Sequence, residues 1–301
     1  TAEVPTLTTI LDSVTCAQKG LCPVGGARAR NPDNFTTRFM ASMVPVVSGR
    51  QKCTILEPSL ITLFWSSITV DCGKYEPYKS SEMAMDTLDL LNFLKWDQDR
   101  SIHIFGVSLG GMISQELALL IPSRIKSLTL ISTRCGNVWD LPSMKILNFI
   151  FRSGAIAMTR EESLDMIMDI LFPVSHLNKP TTKGKTEQDD LREYLSTLPF
   201  QVRPAGIFGQ ICAATGHYCS DPKLESIGRT VSPGKIAVVL GDRDELVYSL
   251  RSLQLHDRLP GSELVVFKDG GHALNCQFTE EVLNVMERIM MEGNRAFSSE
   301  S

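Results

Sequence analysis

Three stretches of the chain repeat apolar side chains at helical spacing. Residues 80–96, 112–125 and 279–291 place these side chains three or four positions apart, which predicts amphipathic helices. Pro122 is expected to end the second of them, because proline lacks the amide hydrogen that a helix interior needs.

Four shorter runs are mostly apolar and rich in β-branched residues. They are residues 101–106, 126–133, 235–241 and 262–267, and their length and composition predict buried strands. Because such strands alternate with helices, we predict the α/β class, with a mostly parallel, doubly wound sheet built from βαβ units.

A long segment between the second and third of these strands carries only helical patterns. Residues 136–230 are therefore predicted to form a helical cap, inserted into a core made of residues 1–135 and 231–301. The methionine and phenylalanine side chains of the cap predict core packing, with a substrate-facing wall as the alternative.

Composition narrows the class of protein. The 301 residues are 43% hydrophobic and 21% charged, which is typical of a globular chain with a sizeable core. A formal net charge of −4 argues against a nucleic-acid partner, because a phosphate-binding surface needs concentrated positive charge. No apolar run reaches the length of a membrane helix, and the first residues lack a signal-peptide pattern, so we expect a cytoplasmic protein.

Eight cysteines are spread along the chain without a C-x-x-C pair. Zinc sites usually combine such pairs with closely spaced histidines, so we expect no metal site. A chain of this length does not need disulfides, and the cysteines are predicted to be reduced thiols. A glycosylation sequon at Asn34 leaves a secreted protein as the alternative.

The sequence Gly-Val-Ser-Leu-Gly-Gly, residues 106–111, joins a predicted strand to a predicted helix. In that setting a G-x-S-x-G motif holds its serine on a sharp turn that requires small flanking residues. Ser108 is therefore a candidate nucleophile, and the Leu109 N–H at the helix start is a candidate oxyanion donor. The alternative is a glycine-rich turn that serves packing alone.

A serine hydroxyl needs a base to accept its proton, and five histidines are available. His272 is the best placed, because it follows a predicted strand in the glycine-rich stretch Lys-Asp-Gly-Gly-His. The others fall inside a strand, in the predicted cap or in a helical stretch: His103, His176, His217 and His256. A surface histidine without a role is the alternative for His272.

A carboxylate is expected to orient the histidine. Asp242, Asp244 and Glu245 all follow the strand predicted over 235–241, at the sheet edge where ligands approach an open α/β sheet. We favour Asp244 over Asp242, with a simple Gly-Asp turn as the alternative.

Residues 80–291 resemble the α/β-hydrolase superfamily, in the capped group with a GxSxGG nucleophile elbow. The stretch 241–247 matches the G-x-x-D-x-x-V pattern of that family, with Asp244 as its acid, and His272 follows two glycines as the family's histidine does. The chain order serine, aspartate, histidine is also the family's. The resemblance implies Ser108 as nucleophile and no metal or organic cofactor.

The first 79 residues depart from the family pattern. A glycine-rich segment with a His-Gly pair usually supplies the second oxyanion donor, and residues 38–49 lack both features. The backbone N–H of Ser42 or Met43 could still take that role. Three explanations stay open: a divergent but working loop, a lineage without activity, or an N-terminal segment foreign to the family.

These residues predict a serine hydrolase that cleaves an ester or related acyl bond of a small, apolar substrate through an acyl-enzyme. An acyltransferase is the first alternative, since it would use the same three side chains with an alcohol or thiol in place of water. A catalytically impaired protein that binds a ligand or partner is the second.

Overall fold

The structure is a computed structural model that describes residues 60–63, 77–93, 95–137, 143–155, 159–181, 184–197 and 204–298. Its strands in these ranges are β1 (Leu60–Leu63), β2 (Ile102–Val107), β3 (Ile125–Ile131), β4 (Lys235–Gly241) and β5 (Ser262–Phe267). They form one parallel sheet in which the spatial order of the strands follows the chain order. All their carboxyl ends therefore lie along one edge.

Helices connect and flank these strands. The helices of the described ranges are α1 (Ser80–Phe93), α2 (Leu109–Leu120), α3 (Met144–Ala155), α4 (Arg160–Leu171), α5 (Val174–Leu177), α6 (Glu187–Thr197), α7 (Pro204–Thr215), α8 (Asp221–Val231), α9 (Ser249–Arg258), α10 (Leu274–Gln277) and α11 (Thr279–Ser298). No helix among them is both long enough and apolar enough to span a bilayer.

The sheet buries side chains on both of its faces. Ile104, Leu128 and Val238 belong to a large cluster with side chains from α1, α2 and α8. Val107 and Val239 belong to a second cluster, which includes side chains of α10 and α11. Because successive strand residues point to opposite faces, a nearly continuous apolar run is what a sheet covered on both sides requires. This confirms the predicted α/β class with a parallel sheet.

Several predicted bounds need correction. The helix α2 stops at Leu120, just before Pro122 as expected, but Pro122–Arg124 form a 3₁₀ turn and Ile125 begins β3 one residue before the predicted start. The last helix continues past the predicted end at residue 291 and through Gly293. A Cβ at Gly293 would lie 2.8 Å from the Lys126 carbonyl oxygen, so the glycine lets this helix approach the sheet closely.

In the segment between β3 and β4, the described residues include the helices α3 to α8. Its last helix, α8, packs on the sheet side, because Leu224, Ile227 and Val231 lie in the large cluster. The division into a cap over 136–230 and a core stays a prediction. Within the first 79 residues, only β1 and residues 77–79 lie inside the described ranges.

Candidate active site

Ser108 stands on the turn between β2 and α2 with φ 55° and ψ −120°. Such left-handed angles are unusual for a residue with a side chain and persist only where the surroundings enforce them. Here the Ser108 N–H donates to the Ile131 carbonyl at 2.9 Å, and the Thr133 hydroxyl donates to the Ser108 carbonyl at 2.7 Å. The serine backbone is thus held from the neighbouring strand β3.

The glycines of the motif are required by close packing. A Cβ at Gly106 would lie 2.6 Å from the Gly110 carbonyl oxygen, and one at Gly111 would lie 2.5 Å from the Thr133 methyl carbon. Side chains at either position would push the strand, the helix and the Thr133 loop apart. The structure therefore leaves no space for larger side chains at these two glycines, as the motif requires.

The start of α2 leaves backbone donors beside the serine. Gly111 N–H and Met112 N–H both donate to the Ser108 carbonyl. Leu109 N–H is the first of the helix and has no carbonyl a turn before it to accept its hydrogen bond. Its role as an oxyanion donor stays a prediction, and Ser42, the other predicted donor, lies outside the described residues.

Asp244 and His272 are brought together by the loops that follow β4 and β5. The distance from His272 Nδ1 to Asp244 Oδ2 is 2.8 Å, and both residues are 3% exposed. The second carboxylate oxygen, Oδ1, accepts the backbone N–H groups of Leu246 and Val247 at 2.9 Å each. Asp242, in contrast, is exposed, so Asp244 is the buried one of the two aspartates.

This contact sets the roles of the two imidazole nitrogens. A carboxylate can only accept hydrogen bonds, so His272 Nδ1 donates and Nε2 is the nitrogen with a free lone pair. Nε2 is buried and has no hydrogen-bond partner in the described part of the chain. A buried, oriented nitrogen of this kind can accept a proton from a hydroxyl group that reaches it.

The loops that follow β4 and β5 are in close backbone contact. A Cβ at Gly241 would lie 2.6 Å from the Gly271 carbonyl oxygen, and Arg243 N–H donates to the Gly270 carbonyl at 2.8 Å. Glycine at these positions lets the end of β4 touch the loop that carries His272.

A cavity of about 140 Å³ opens beside the serine. Ser108 and Leu109 line it, together with apolar side chains from several helices and loops: Met112, Ile146, Ile211, Ala214, Leu246 and Val247. Two arginines, Arg134 and Arg251, and the amide of Gln210 are also in its wall. The cavity can therefore accommodate a mainly apolar molecule that carries a few polar groups.

The other histidines have structural contacts. His103 Nδ1 lies 2.8 Å from Ser127 Oγ, and His256 Nδ1 lies 2.9 Å from Ser262 Oγ. His176 stacks on Phe172 with ring centroids 5.6 Å apart.

His217 is also deeply buried. Its Nδ1 lies 2.9 Å from Ser80 Oγ, and burial, together with the positive charges of Arg134 and Lys223, lowers the pKa of its imidazole to about 3. It is therefore a neutral side chain near neutral pH.

The cysteines of the described ranges, Cys135, Cys212, Cys219 and Cys276, are free thiols. Burial raises the pKa of Cys219 to about 12, with the negative charge of Glu116 adding to the effect. The thiolate of Cys219 is therefore disfavoured at neutral pH.

Thr133 was missed by the reading of the sequence. It follows β3 and holds the Ser108 carbonyl, but a threonine after a strand has no distinctive local pattern. Its role depends on a neighbouring strand and is visible only in the folded chain.

The sequence profile of the family described as alpha/beta hydrolase fold matches residues 74–277. The chain therefore belongs to the alpha/beta hydrolase fold family, which confirms the resemblance found in residues 80–291. The subgroup with a cap and a GxSxGG elbow stays a prediction.

Individual relatives agree with this assignment. The chain is 27% identical over 202 residues to a 2-hydroxy-6-oxononadienedioate/2-hydroxy-6-oxononatrienedioate hydrolase of Escherichia coli strain K12, covering 62% of this chain and 62% of that protein. An esterase from Thermogutta terrifontis has a TM-score of 0.57 at 18% identity, covering 72% of this chain and 74% of its own. The meta-cleavage product hydrolase CumD from Pseudomonas fluorescens has a TM-score of 0.54 at 19% identity, covering 75% of both chains. At these identities the solved structures establish the fold alone.

We predict that Thr133→Val weakens the support of the serine. The substitution removes the hydroxyl that donates to the Ser108 carbonyl, so it should lower the free energy of unfolding by about 1 kcal/mol and slow the reaction of Ser108 with a fluorophosphonate probe several-fold. Thr230→Val is the matched control, because its hydroxyl also donates to a backbone carbonyl at 2.7 Å but lies on α8. Equal probe reactivity in both variants would contradict the role of Thr133.

We also predict a pH dependence that originates at His217. Its pKa is about 3 in the fold against an ordinary value of 6.5, so the unfolded chain binds the extra proton between these values. The free energy of unfolding should therefore fall as the pH drops below 6.5, by about 1.4 kcal/mol per pH unit from this group. Urea unfolding of the wild type and of His217→Asn from pH 7 to pH 5 should give a shallower loss in the variant. Parallel pH profiles would show that His217 makes no such contribution.

Proposed function

We propose that the chain is a serine hydrolase that cleaves an ester or related acyl bond of a small molecule. Ser108 is the nucleophile, His272 the general base and acid, and Asp244 the residue that orients the imidazole. The observation that carries the proposal is the 2.8 Å contact of His272 Nδ1 with Asp244, which leaves the buried Nε2 without a partner.

The proposed chemical steps are those of a serine nucleophile served by a histidine base. Ser108 Oγ attacks the carbonyl carbon while its proton passes to His272 Nε2, and the imidazolium then gives that proton to the leaving alcohol oxygen. A water molecule next loses a proton to the same nitrogen and attacks the acyl-enzyme. The acid is released and Ser108 regains its proton.

Two charges develop during these steps, one on the imidazolium and one on the oxyanion, and each has a candidate partner. The buried Asp244 carboxylate stabilises the imidazolium and keeps its Nδ1 side fixed. Leu109 N–H, at the positive end of α2, is the proposed donor to the oxyanion. The backbone of Ser42 remains the proposed second donor.

The cavity beside Ser108 supports a small acyl substrate. Its apolar wall suits an acyl chain, and Arg134 and Arg251 are groups that bind carboxylates. The relatives are named as hydrolases, one of a dienedioate and one as an esterase. The chain spans 62% of the E. coli protein, so the substrate is best sought with a panel of esters that differ in chain length and in a terminal carboxylate.

The decisive experiment is labelling with a fluorophosphonate probe, which forms a bond with a serine activated by a base and an oxyanion site. We predict that the wild-type chain is labelled and that Ser108→Ala is not, with ester hydrolysis lost in parallel. A folded wild-type chain that neither reacts with the probe nor cleaves any ester of the panel would rule out the hydrolase and favour the binding protein.

We predict further that the two neighbouring aspartates behave differently. Asp244→Asn should lower kcat by about 10⁴, because an amide in that place favours the wrong tautomer of His272. Asp242→Asn should leave kcat unchanged, because Asp242 is exposed and makes no contact with the imidazole. A large loss in the Asp242 variant and none in the Asp244 variant would reverse the assignment of the acid.

A further inference from the structure

The end of α4 lies directly on the loop that carries His272. The N–H groups of His272 and Ala273 both donate to the Leu171 carbonyl, at 2.9 Å and 3.2 Å. A Cβ at Gly271 would lie 2.6 Å from that carbonyl oxygen, so the loop backbone and the helix end are in close contact. Phe172 and Ala273 share a small apolar cluster at the same place.

A lysine on α3 joins this helix to the loop of the acid. Lys145 Nζ lies 2.6 Å from the Glu245 carboxylate and donates to the Asp169 carbonyl oxygen at 2.8 Å. The Asp169 carboxylate is 3.5 Å from the same ammonium. Glu245 directly follows Asp244, and Asp169 lies on the last turn of α4, close to Leu171.

We propose that Lys145 is a positioning residue, which ties the loop of Asp244 to the helix that holds the backbone of His272. This inference rests on the proposed roles of Asp244 and His272. The connection runs from Glu245 through Lys145 and Asp169 to the Leu171 carbonyl, parallel to the direct bond between the two catalytic side chains.

The charges of this link are accessible to water. The Lys145, Asp169 and Glu245 side chains are 33%, 57% and 59% exposed, so the link contributes little to the stability of the fold. Its effect is on geometry, because proton transfer depends steeply on distance and a shift of about 1 Å can cost about 10²-fold in rate. Because this link is exposed, its removal should shift the catalytic side chains by less than about 1 Å. We therefore expect kcat to fall by about three- to tenfold.

The test compares two lysines in full-length protein. Lys145→Met should lower kcat and the rate of fluorophosphonate labelling by that factor, with KM for the best ester unchanged and the melting temperature close to that of the wild type. Lys145→Arg should restore most of the loss, because it keeps the charge and several donors. Lys185→Met is the control. Lys185 also pairs with an exposed carboxylate at 2.8 Å, but that carboxylate belongs to Glu193 on α6.

A double-mutant cycle separates positioning from a general charge effect. Glu245→Gln should produce a loss similar to that of Lys145→Met, and the double variant should lose no more than either single variant. Additive losses, a change confined to KM, or wild-type labelling in Lys145→Met would overturn the proposal.

Amide hydrogen exchange gives a readout that does not need activity. Lys145→Met should speed exchange in the peptide that contains His272 and Ala273, whose N–H groups are bonded to Leu171. Absence of probe labelling in the wild type would refute the proposed function, while exchange would still decide whether Lys145 holds this loop. Unchanged exchange would refute that link.

Discussion

A serine with left-handed backbone angles at the end of β2 is the constraint around which the site is arranged. Such a conformation costs about 1–3 kcal/mol. Backbone hydrogen bonds on both sides of Ser108, the Thr133 hydroxyl and the tight packing of Gly106 and Gly111 compensate for this cost. The turn therefore depends on β3 as much as on its own residues, and Ser108 lines a cavity.

The parallel sheet explains why residues far apart in the chain lie along one edge of the sheet. Ser108, Asp244 and His272 each follow the carboxyl end of a strand, and these ends share one edge. β3 lies between the strands of the serine and the aspartate, so it can support the first without blocking the second. One helix between β3 and β4 also contacts this edge, because the Leu171 carbonyl at the end of α4 accepts the N–H groups of His272 and Ala273.

Much of the fold and of the candidate site could be predicted from local patterns. The strands β4 and β5 have the predicted bounds, because short apolar runs ended by glycine or charge are a local signal. Other bounds were wrong where a distant contact decided, as at Gly293, which continues its helix because it packs against Lys126. The preference for Asp244 over Asp242 was strengthened by the resemblance to the family's G-x-x-D-x-x-V pattern. The burial that distinguishes the two aspartates arises only when β5 and its loop pack against β4.

The sequence by itself therefore determined which residue types stand after which strands: the serine in its glycine turn, the histidine after two glycines and the aspartate between them in chain order. Those signals are local, because a glycine requirement or an apolar period is set by neighbours along the chain. The tertiary structure alone decided that Thr133 supports Ser108, and that Leu171 holds His272. A backbone carbonyl carries no side-chain signature, and the partner it accepts is chosen by the packing of segments that are distant in sequence.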